Sequence, residues 1–177
     1  MPFVIALLGL IGGALFWYYR MRAAGQAAQD LAGVAQDVMS AARRFGFRRR
    51  YNEHPVDSLQ DSDVAVAGAG LAFLDLAGLP TAEQQDTLLV SLQSRLGHDR
   101  PKAEEAMILG RWLISECGGP DAALKRFTRR LVKLKGNAAL QPLMEVVKDV
   151  AASGRDGALS TRQKEALEEI SRAFRLG

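Results

Sequence analysis

The first apolar stretch of the chain, Phe3 to Tyr19 (FVIALLGLIGGALFWYY), runs seventeen residues without a charge. At about 1.5 Å rise per residue such a helix reaches roughly 25 Å, close to the ~30 Å of a hydrocarbon core and within the range for a spanning helix. Phe16, Trp17, Tyr18 and Tyr19 close the stretch and Arg20 and Arg22 follow it, as where a helix leaves a bilayer through its aromatic interface. A cleaved signal peptide fits less well, because no basic side chain precedes the run and FWYYRMR stands where small residues would be cut. The sequence therefore predicts a single transmembrane anchor over residues 1–19.

Charge sets the expected orientation. Residues 20–50 hold seven arginines against Asp30 and Asp37, so the positive-inside rule puts the N-terminus outside and the remainder in the cytoplasm, at a membrane of the bacterial inner type. The single cysteine, Cys117, suits a reducing compartment. Gly9 and Gly13 are spaced as a small-xxx-small pair, along which two anchors could pack and self-associate.

The overall charge of +3 hides a segregation: residues 52–100 carry eight acids against Arg95 and Arg100, whereas residues 101–177 carry fourteen basic and ten acidic residues. Uneven charge of this kind favours docking surfaces. Residues 20–60 read as a juxtamembrane stalk and basic linker. Within them RRFGFRRRY interleaves Arg43, Arg44, Arg48, Arg49 and Arg50 with three aromatics. Anionic lipid headgroups, at about 1 kcal/mol per basic residue near the surface, or an acidic patch of a membrane partner are the expected ligands. Arginines and aromatics also bind nucleic acid, which the segment's position within a stalk's length of the bilayer makes the lesser reading.

From residue 61 to 177 the periodicity is helical throughout, giving an all-α fold. Asp61 or Asp63 caps a helix to about Leu76 that is rich in alanine and glycine. Thr81 with Gln84 forms a capping box for a helix ending before Gly97. Asp99 opens one that reaches Cys117, Pro120 one that Gly136 closes, and another holds Pro142 in its early turns. Ser160 with Gln163 repeats the capping box for a last helix to Leu176. Residues 77–84 align without gaps on residues 156–163. The bundle is therefore read as containing a pseudo-repeated helix pair.

The fourth of these helices places Arg126, Arg129, Arg130 and Lys133 in one basic stripe opposite Leu124, Phe127, Leu131 and Leu134, with no acid between Ala122 and Gly136. An acidic protein surface or headgroups are its expected partners. A nucleic-acid-binding module is an alternative, disfavoured because no recognition-helix motif accompanies the stripe.

Motifs for catalysis are missing from the sequence: there is no HExxH, GxxxxGK[ST], CxxC or GxSxG. Glu104 with Glu105, and Glu168 with Glu169, are neighbours that point about 100° apart on a helix. No enzymatic role and no cofactor are expected.

The C-terminal run LMEVVKDVAASGRDGALSTRQKEALEEISRAFRLG resembles the helix pair of TerB-like domains, found in tellurite-resistance TerB proteins and in the N-terminal region of membrane-anchored DjlA-type co-chaperones. The resemblance covers residues 61–177 and implies a TerB-like helical bundle behind the anchor. It also implies an acidic metal site at the repeated turns. Here Asp156 and Gly157 match, but Ala77, Gln84 and Gln163 stand where the family often has acids, so Asp156, with Glu83 or Glu165 as further candidates, is what remains for a metal, and an Asx turn is the simpler role for Asp156. His54, Pro55 and Asp57 do not reproduce the J-domain tripeptide, because Val56 interrupts it, so no direct Hsp70 role is expected. The expectation is a non-catalytic, membrane-anchored accessory or assembly factor that docks on an integral membrane complex. A metal-ion, tellurite or envelope-stress response protein is the alternative.

Overall fold

Eleven consecutive residues of one helix, Val64 to Leu74, are buried, which is the expected fate of a segment without a polar face. That helix is the axis of the fold. In the computed structural model, which describes Gly33 and residues 35–154 and 158–176, the described elements of the folded unit Val38–Gly177 are helical. Helical turns over residues 38–44 (α1) lead into a loop and a 3-10 turn, Pro55–Ser58. Six helices follow: α2 (Ser62–Asp75), α3 (Ala82–Leu96), α4 (Arg100–Glu116), α5 (Pro120–Lys135), α6 (Leu140–Ala152) and α7 (Thr161–Leu176).

The central helix packs most extensively on α4 and α5, and also meets α3 and α6; α3 pairs with α6, and α5 with α7. Glycine makes the central crossings close. A β-carbon on Gly110 of α4 would lie 3.0 Å from the Gly68 Cα of α2, so the two backbones are in near contact. On its other side Gly68 receives the ring of Phe127 from α5. The alanine and glycine content of α2 thus sets interhelical distance as well as helix propensity.

Helix ends fall where the caps direct them. Asp61 accepts from the Asp63 amide and Asp99 from the Lys102 amide. Gly97, in the left-handed region at φ 66°, ends α3. Both capping boxes form: the Thr81 amide donates to Gln84 Oε1 and the Gln84 amide to Thr81 Oγ1, while Ser160 and Gln163 make the same two bonds. The two turns face one another across a cavity of about 450 Å³. Gln163 does more than its counterpart, since it is buried and its side-chain amide also donates to the Phe73 carbonyl of α2 at 3.2 Å. An ionised carboxylate could not make that bond.

The folded unit begins before residue 61. Ala41, Phe45, Val56 and Leu59 are buried in the core, and Phe47 meets Trp112 of α4 edge to face at 5.9 Å. Residues 38–60, read from the sequence as stalk and linker, therefore run along α4, from Phe45 beside Lys102 to His54 at Glu116, and reach Arg126 and Arg130 of α5. Phe45 and Phe47 have an apolar surface to bury against, whereas Tyr51 is fully exposed.

None of the described helices is long and apolar enough to cross a membrane. The expected anchor Phe3–Tyr19, with Gly9, Gly13 and Trp17, lies outside the described residues, as does Asp156.

Candidate docking surface

The basic helix α5 lays Leu124, Phe127 and Leu131 into the core, each 3% exposed or less. Helical geometry then sends Arg126, Arg129, Arg130 and Lys133 outward, and the structure divides these four cations into two pairs with different tasks.

Arg126 and Arg130 turn toward the 3-10 segment. The Arg126 Nη1 lies 3.0 Å from Asp57 Oδ2. Arg130 donates through Nε to the Leu59 carbonyl at 2.7 Å, with Nη2 directed at the same oxygen. Both partners lie about seventy residues away in sequence, and both clamp the segment before α2 onto α5. Charge-assisted hydrogen bonds of this kind contribute about 1.5–3 kcal/mol each when shielded and less at the surface.

Arg129 and Lys133 have no acidic partner among the described residues. The Arg129 Nε donates only to the Lys125 carbonyl one turn back on its own helix, at 3.3 Å. Beside them α7 supplies Arg172, and Lys125 pairs with Glu169 of α7 at 3.6 Å. Between α5 and α7 these side chains border a groove of about 400 Å³ whose lining includes Thr128, Val132 and Ala173. The Thr128 hydroxyl is buried and has no hydrogen-bond partner among the described residues.

The arginines of the RRFGFRRRY segment are likewise divided. Arg44 pairs with Glu105 at 3.0 Å, Arg49 approaches Glu116 at 3.8 Å, and Arg50 reaches Glu53 at 3.4 Å. Arg43 and Arg48 are exposed without an ion pair among the described residues.

The titratable groups that could serve catalysis are placed as follows. His54 accepts from the Val56 amide through Nδ1 at 3.3 Å, so its Nε2 carries the proton offered to the Glu116 carbonyl at 3.2 Å. Cys117 caps α4 half-buried; burial pushes its thiol up, against the opposing pull of Arg126. It is therefore held as a thiol, the opposite of an activated nucleophile. His98 has a buried side chain bonded through Nε2 to Asp63 at 2.9 Å, with Lys102 3.9 Å from the same carboxylate. Its Nδ1 has no partner among the described residues. The ring of Phe45, its centroid 6.4 Å from that of His98, helps cover it. Among the described residues no cluster of three histidine, cysteine or acidic side chains is positioned to hold a metal.

Compared with protein-family models, curated proteins and solved structures, the chain matches none.

Proposed function

We propose that this chain is a non-catalytic interaction module, held at a membrane by Phe3–Tyr19, that docks through the α5 face on an acidic surface of an integral membrane complex. One observation carries the reading: Arg129 and Lys133 stand outward on α5 without acidic partners among the described residues, while Arg126 and Arg130 beside them are committed to the fold. Uncompensated cations on a rigid helix are suited to recognition, because little conformational freedom is lost from the backbone on binding.

The anchor gives this face its effect. Confinement to the bilayer surface raises the concentration of the bundle near membrane proteins, so a modest intrinsic affinity suffices. Arg43 and Arg48 would add attraction to anionic headgroups. The kinship to TerB-like domains is supported by the twofold use of a capping-box turn around one cavity, and belongs to the same proposal.

Purification of the full chain from membranes in mild detergent, followed by mass spectrometry, tests this. Recovery of an integral membrane protein is expected; a chain that elutes with no membrane partner would overturn it.

A further inference from the structure

The groove between α5 and α7 has a geometry more specific than a basic patch. Lys125, Arg129 and Lys133 stand four residues apart on α5 and so form a row at about 6 Å steps, from a rise of 1.5 Å per residue. Arg172 stands on the α7 side. Among the described residues the one carboxylate lining the groove, Glu169, is engaged by Lys125, and Arg129, Lys133 and Arg172 have no acidic partner. Below them lie the apolar atoms of Val132 and Ala173, recessed between the two helices.

We infer that this groove receives an acidic amphipathic helix of a partner protein, with acids at four-residue spacing over the cation row and an apolar side chain seated between α5 and α7. The inference rests on the docking function proposed above and names its partner chemistry. The pitch of the cation row is itself helical, so acids at i and i+4 on a partner helix meet Arg129 and Lys133 in register, with Arg172 across the groove free for a third. A bilayer would satisfy the cations with phosphates but leave the recessed floor unfilled. Nucleic acid would do the same, and the groove lining has no aromatic side chain on which a base could stack.

The test uses the full chain in nanodiscs of zwitterionic phosphatidylcholine, panned against a displayed library of helical peptides with randomised surface positions. Enriched peptides should carry acids at four-residue spacing beside an apolar stripe. The double variant Arg129→Glu/Lys133→Glu should weaken their binding at least tenfold with an unchanged melting temperature, and raised salt should weaken binding to the wild type. No enrichment over empty nanodiscs, or peptides indifferent to the double variant, would overturn the inference. A photoreactive side chain in place of Val132 supplies a second arm: cross-links to phosphatidylglycerol in nanodiscs containing it, with no peptide enriched, would assign the rim to headgroups and overturn it too. Co-elution of the chain with the nanodisc reports the membrane reading separately. A chain that leaves the disc but still selects acidic helices would refute only the anchor.

Discussion

Gly68 of α2 lies directly under the ring of Phe127 of α5, so close that a β-carbon on residue 68 would fall 2.3 Å from the ring Cζ. Phe127 is fully buried and cannot swing into solvent. Gly68→Ala should therefore destabilise the fold by roughly 3 kcal/mol, the upper end of overpacking costs, even though alanine is the better helix former. Thermal melting checks this, and Gly68→Ala combined with Phe127→Leu should recover part of the loss. An unchanged melting temperature for Gly68→Ala would show that α2 and α5 are not packed this closely.

The two capping boxes should respond unequally. Thr81→Ala and Ser160→Ala each remove a side-chain acceptor and should cost about 1 kcal/mol. Gln163→Ala should cost more than Gln84→Ala, because Gln163 also bonds to the Phe73 carbonyl from a buried position. Gln163→Glu should be worse at pH 7 than at pH 4, since only a protonated carboxyl can donate to that carbonyl. Urea unfolding of the set measures the ranking; equal losses at positions 84 and 163 would contradict it.

Acid should weaken the α3–α6 contact. The hydrogen bond from Arg95 holds the Asp149 carboxyl below its ordinary range, with Ser91 adding to it and burial opposing. A depressed folded pKa contributes stability above the unfolded value, about 3.9, that is lost as pH falls through the lower folded value. Asp149→Asn should thus be less stable than wild type at pH 7, with the difference closing as the pH is taken below about 4. Unfolding curves across that range provide the check.

Thr128 invites the opposite kind of change. Its buried hydroxyl lacks a partner among the described residues, and valine has nearly the same shape. Thr128→Val should leave stability unchanged or raise it by about 1 kcal/mol, by removing an uncompensated polar group. A loss above about 1 kcal/mol in thermal or urea unfolding would mean that the hydroxyl is satisfied.

Helix boundaries were legible because the signals that set them are local. Asp61, Thr81, Asp99 and Ser160 cap within three residues, and Gly97 and Gly136 terminate the helices that precede them. The roles of the α5 cations were not legible, since a stripe at helical spacing looks the same whether its partners are solvent or a segment seventy residues away. Asp57 and the Leu59 carbonyl take Arg126 and Arg130, and only the tertiary fold brings them together. The same holds for Phe45 and Phe47. Aromatics among arginines suggest a membrane interface, but here the surface that receives Phe47 includes Trp112 of α4. The groove beside Arg129 exists because α7 returns to α5, and periodicity does not state which helices pair.

This division of α5 has its own consequence for stability. Arg130→Ala should cost about 1–2 kcal/mol by freeing the Leu59 carbonyl and loosening the segment before α2. Arg129→Ala and Lys133→Ala should stay within about 0.5 kcal/mol of wild type, as exposed substitutions without partners do. Amide exchange at residues 56–60 should rise in Arg130→Ala and not in the other two.

The most direct measurement is a side-by-side co-purification of the wild-type chain and Arg129→Glu/Lys133→Glu from membranes in mild detergent, with melting curves of both. The account predicts that an integral membrane protein is retained by the wild type and lost from the double variant while the melting temperature is unchanged. Equal retention by both, or no membrane partner with either, would contradict it.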